Sequence, residues 1–166
     1  MSMKLPSTWK DLIGLICPKD YGLFEEVNLA AEDPAGYFEE YQQELSERGI
    51  DNAAEVSVWL ALIDGLLSRR CLVEVDKQAG AQDLVSALSE LSVCRESRLE
   101  LGPIGELGSK GTVLLADASK LLEKHDLSIG VMELDSDSWP IVVVAKASLL
   151  RARDIAAKLS HEIIVP

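Results

Sequence analysis

The stretch LSIGVMELDSDSWPIVVVA, residues 127–145, decides the fold. Two runs rich in β-branched residues, 127–134 and 141–145, flank Asp135-Ser136-Asp137-Ser138-Trp139-Pro140. Turn formers bunched between two such runs predict a β-hairpin. Beyond it, Leu149, Ala152, Ala156 and Leu159 recur at helical spacing, and residues 162–165 read as a last strand. A strand–helix–strand ending permits a right-handed parallel crossover.

Upstream of the hairpin, residues 71–76 (CLVEVD) alternate in part and read as another strand. A helix is expected over 82–93, with Leu84, Leu88 and Leu91 inward. Residues 95–111, with four glycines and Pro103 between Gly102 and Gly111, read as a loop able to hold a helical turn. Residues 112–125 suit a helix, although Val113-Leu114-Leu115-Ala116 would also suit a strand.

The first part of the chain reads as helices. Ser7 can cap a helix through about Cys17, with Trp9, Leu12, Ile13 and Ile16 on one face. Pro18 suits the first turn of a second helix, with Tyr21, Phe24, Val27 and Leu29 as its apolar surface. Asp33-Pro34 opens a third, which puts Phe38, Tyr41 and Leu45 inward and ends at Gly49. The fourth has the clearest pattern: Val56, Trp59, Leu60, Ile63, Leu66 and Leu67, closed by Arg69 and Arg70 against the dipole. The expected class is α+β: one domain, 1–166, with a helical N-terminal layer packed on a small mixed sheet of about four strands.

Charge is unevenly distributed along the 166 residues. The formal net charge is −12, and residues 20–55 hold eleven acids against one base, Arg48, a net −10. Such a chain is repelled by phosphate backbones, so nucleic acid is not an expected partner. No apolar run reaches the roughly 18 residues of a membrane span, and Met1-Ser2-Met3-Lys4-Leu5-Pro6 lacks the apolar core of a secretory leader. A cytoplasmic protein is expected. Cys17, Cys71 and Cys94 are odd in number and widely spaced, which excludes a disulfide framework or a CxxC motif.

Candidate chemistry is sparse. Asp135 and Asp137 stand at i, i+2 near a strand end, and with Ser136, Ser138 and Asp76 or Glu74 they could gather a hard cation such as Mg²⁺. The competing reading is that these are turn residues bonding their own backbone. The Gly102–Thr112 region fails as a phosphate loop, because Gly111 separates Lys110 from Thr112. His125 and His161 lie outside any nucleophile or metal pattern. Asp64 sits beside the apolar stripe of the fourth helix, where a carboxylate commonly pairs with Arg or Lys. Trp139, placed in a polar turn, is expected to be exposed and so to serve as an interface anchor.

Three segments, WLALIDGL (59–66), LVEVD (72–76) and LDSDSWP (134–140), together with the opening Trp9…Cys17-Pro-Lys-Asp-Tyr21, resemble an uncharacterised family of small bacterial proteins known as a domain of unknown function. That resemblance implies an α+β domain and supplies no activity. A weaker similarity is to the Smi1/Knr4-like immunity proteins, through Pro18-Lys-Asp-Tyr21…Phe24, without the asparagine–glycine that follows in them. With no cofactor motif and no nucleophile, the first expectation is a non-enzymatic binding or regulatory protein. It would present Glu39, Glu40, Glu44, Glu47 and Trp139 to a basic partner. The alternative is a divalent-metal hydrolase using Asp76, Asp135 and Asp137. The sequence specifies neither a ligand nor an oligomeric state.

Overall fold

The hairpin forms in the computed structural model, which describes residues 5–20 and 22–166. The expectations that concern Met1, Ser2, Met3, Lys4 and Tyr21 lie outside those residues. The chain divides into two compact units, residues 1–66 and 67–166.

Helices build the first unit: α1 (Ser7–Ile16), α2 (Gly22–Glu32), α3 (Pro34–Glu40), α4 (Gln42–Glu47) and α5 (Val58–Ser68), whose last two residues already belong to the second unit. Trp9, Leu12, Ile13 and Ile16 form the buried stripe of α1, as their spacing requires. Trp9 meets Trp59 of α5 edge to face, ring centres 6.4 Å apart. Asp33 caps α3 by accepting from the Gly36 N–H at 3.1 Å, with Pro34 in the first turn where its missing N–H leaves no gap.

The expected third helix is two helices, broken at Tyr41 (φ −109°, ψ 28°). The break resets the helical phase, so Tyr37, 1% exposed, takes the inward place expected of Phe38, and Leu45 stays buried in α4. Gly49, at φ +80°, ends α4 in a Schellman motif: Ile50 N donates to Leu45 O (2.9 Å) and Gly49 N to Ser46 O (3.0 Å). Helix α5 buries seven of its eleven residues, which makes it the central helix of this unit. It stops at Ser68, so Arg69 and Arg70 fall beyond its last turn, and Leu67 is 38% exposed rather than inward.

The second unit holds a four-stranded sheet in the order β1 (Val73–Asp76), β3 (Ser138–Val144), β2 (Ser128–Met132), β4 (Ile163–Ile164). Every neighbouring pair is antiparallel, which corrects the expected mixed sheet. The strands that α10 (Lys146–Lys158) joins, β3 and β4, do run the same way, because each is antiparallel to β2. β2 lies between them, so the crossover spans a strand and creates no parallel ladder.

Alternate residues of the sheet face one core. Val73, Val75, Ile129, Val131, Trp139, Ile141 and Val143 meet Leu84 and Leu88 of α6 (Ala81–Leu88), Cys94 of α7 (Ser92–Glu96), Ile104 of α8 (Gly102–Gly105) and Leu114 and Leu115 of α9 (Gly111–Leu122). The helix expected over 82–93 therefore stops at Leu88 and restarts at Ser92, while 111–122 is helix and not strand. Gly130 points to the opposite face, where a Cβ would collide with Leu149 of α10. With helices on both faces, all five residues of β2 are buried. Burial pushes the Cys94 thiol up to about 11. Among the described residues no helix is long and apolar enough to cross a membrane.

Strand β4 is too short to serve the whole of β2. Its pairing ends at Val131↔Ile164, two residues short of Ile129. The Ser119 hydroxyl of α9 accepts from the Ile129 N–H instead, at 2.9 Å in a buried site. Replacing Ser119 by Ala leaves that N–H buried without its acceptor and is expected to cost about 1–3 kcal/mol. Urea unfolding checks this through a lower midpoint at unchanged slope; an unmoved midpoint would show that the strand does not depend on the hydroxyl.

Candidate functional site

The first unit carries eight exposed carboxylates within residues 20–55, on its helices and the turns between them: Glu25, Asp33, Glu39, Glu40, Glu44, Glu47, Asp51 and Glu55. Their placement runs against helix electrostatics. Glu32 closes α2, Glu39 and Glu40 close α3, and Glu47 closes α4, and none of these helices has a base in its last turn. A carboxylate at the negative end of a helix dipole is unfavourable by a few tenths of a kcal/mol or more.

The only base in the segment is turned inward. Arg48, the C-cap residue that follows Glu47 of α4, donates from Nε to Asp64 Oδ1 of α5 at 2.7 Å, and its terminal NH2 group contacts the same oxygen. Both side chains are largely buried, at 20% and 15% exposure. The expected pairing of Asp64 with a base is thus met by the one base that could have balanced the acids outside. Next to this pair, Tyr37 stacks on Tyr41 with ring centres 4.6 Å apart, and the Tyr41 hydroxyl donates to Glu26 Oε1 at 2.9 Å. Burial first, then the charges of Asp64 and Glu26, hold the Tyr37 phenol well above the ordinary tyrosine range.

In the second unit Asp76 and Ser138 are register partners, so β1 does neighbour the hairpin. The carboxylates still do not gather. Asp76 Oδ1 accepts from Gln78 N (2.7 Å), and Glu133 Oε1 accepts from Asp135 N (2.8 Å) with the Lys77 ammonium 3.8 Å away. Asp135 occupies the left-handed region at φ +55°, a conformation that Asp tolerates in turns. Ser136 Oγ donates to Ser138 O (3.1 Å) and accepts from Ser138 N (3.3 Å), while Asp137 O accepts from Lys77 N (2.9 Å). Among the described residues no group of three or more His, Cys, Asp or Glu is placed so that it could hold a metal ion.

Trp139 departs from its expected place. The turn is shorter than read, β3 begins at Ser138, and Trp139 is 7% exposed against the sheet's main core. Pro140 is tolerated beside it because the β2–β3 pairing ends at Val131↔Ile141, where its missing N–H breaks no rung. Sequence reasoning missed Tyr37 and the identity of the partner of Asp64. The acid at each helix end was visible, but only once the break at Tyr41 was known.

A family model described as Domain of unknown function (DUF6630) matches residues 8–166, and the chain belongs to that family. No curated protein and no solved structure matches it.

Two expectations follow from this geometry. Asp135→Gly should leave stability unchanged or raise it by up to about 1 kcal/mol, whereas Asp135→Val should lower it, as thermal melts would show. The folded chain keeps a Tyr37 proton that the unfolded chain gives up above about pH 10, so stability must fall as pH rises beyond that value. Urea midpoints from pH 8 to 11 should show that fall, and Tyr37→Phe should reduce it.

Proposed function

We propose that this member of the family is a non-enzymatic binding or regulatory protein of the bacterial cytoplasm whose acidic helical surface docks a basic protein partner. The observation that carries the reading is the arrangement of charge in residues 20–55. Acids close three successive helices at their unfavourable ends, and Arg48 is spent on Asp64. A surface that only had to be soluble would gain by exchanging those terminal acids for lysine. Acids retained there at a cost in stability fit a surface that a cationic partner completes. Docking to such a field is fast and depends on salt, the manner in which small acidic inhibitors and immunity-type proteins reach basic targets.

Glu40→Gln and Glu47→Gln together separate the two roles of these side chains. The double variant should melt at a higher temperature, gaining about 0.3–1 kcal/mol, while partner capture falls. Pull-downs from bacterial cytosol at low and high salt provide the second readout. A basic protein retained by the wild type at low salt, released at high salt and lost by the variant supports the reading. Retention that ignores both salt and the substitutions contradicts it.

A further inference from the structure

A second surface lies along the outer strand of the sheet, in the unit that does not carry the acidic helices. β1 ends the sheet order, with β3 as its neighbour. Two concavities, of about 360 and 370 Å³, run in series beside it and share Glu74 and Ala87 in their walls. Together they form one groove reaching from Leu67 and Arg70 at one end to Gln78 and Asp83 at the other.

The groove has an apolar floor and an acidic rim. Val75, Ala79 and Leu72 contribute to the floor, and Leu67, one of the two exposed large hydrophobic side chains among the described residues, opens into it. On the rim Asp76, Asp83 and Glu90 are exposed, and Arg70 is the one base in the lining. Charge alone would be the ordinary protection of a short edge strand against unwanted pairing. Protection does not call for an exposed leucine in the same groove.

We propose that the groove beside β1 binds an extended, basic segment of a partner protein, in which apolar and cationic residues alternate. The four residues of β1 span roughly 13 Å, a length suited to four or five residues of extended chain. Successive side chains of such a chain point to opposite sides, so one set enters the floor while the other meets the carboxylates. The inference concerns the second unit and stands apart from the reading of residues 20–55.

Titration of the ¹⁵N-labelled full-length protein with a blocked KVKVK peptide, and with EVEVE as control, tests it at low salt. KVKVK should shift the amides of Leu67, Val73–Asp76 and residues 83–90, and EVEVE should not. Asp83→Asn with Glu90→Gln should weaken KVKVK about five- to tenfold, and Leu67→Ser should weaken it severalfold. Because the Asp83 carboxylate also accepts from the Gly80 N–H at 3.3 Å in the first turn of α6, a melt confirms that each variant is folded at the titration temperature. Glu40→Gln with Glu47→Gln should leave these shifts unchanged. The proposal is overturned by equal binding of EVEVE, by affinity indifferent to Asp83, Glu90 and Leu67, or by shifts confined to residues 20–55. That last result would leave the acidic helices as the cationic site and remove the groove.

Discussion

The bond between Arg48 and Asp64 is the constraint on which the character of the first unit depends. Asp64 belongs to α5, whose neighbouring residues are nearly all buried, and a carboxylate there needs a cationic partner close by. Residues 20–55 contain one base, Arg48, and it reaches Asp64 from the C-cap of α4. Losing either partner would strand the other in poor solvent, at a cost on the order of 2 kcal/mol. Satisfying the interior in this way leaves the exterior uncompensated. The negative field outside is therefore linked to the packing inside; burial first, and then the charges of Asp64 and Glu26, hold the Tyr37 phenol above the ordinary tyrosine range.

Much of this fold was legible because its patterns are local. The α1 stripe, the Asp33-Pro34 cap, the Gly49 terminator and the two hairpin strands each declare themselves within a dozen residues. What failed was non-local or depended on phase. Trp139 looked exposed because its neighbours are turn formers, yet the turn spends only residues 133–137, and the strand claims the tryptophan. The sheet looked mixed because β3, α10 and β4 follow one another, yet β2 inserts between the two strands. A break at Tyr41, which no glycine or proline marks, moved Tyr37 into the core in place of Phe38.

The candidate sites divide by the same rule. The acidity of 20–55 needed only counting, and Asp64 announced a partner by sitting beside an apolar stripe. Within the Asp135–Ser138 cluster the Ser136 hydroxyl bonds Ser138 N and O, and Asp135 itself takes the left-handed conformation with its N–H on Glu133. The groove beside β1 could not be read in advance, because it joins Leu67, Glu74 and Glu90 from three separate elements. Both surfaces are open and acidic.

If the terminal acids of α2, α3 and α4 are held against their own helix dipoles and against one another, screening must relieve them. Melting temperature as a function of sodium chloride, from about 20 mM to 0.5 M, measures this directly on the unmodified protein. The account predicts a rise with salt that flattens as the Debye length falls below the spacing of neighbouring charges. A melting temperature that is constant or falls over that range would contradict it, since the acids would then be costing the fold nothing that a partner could restore.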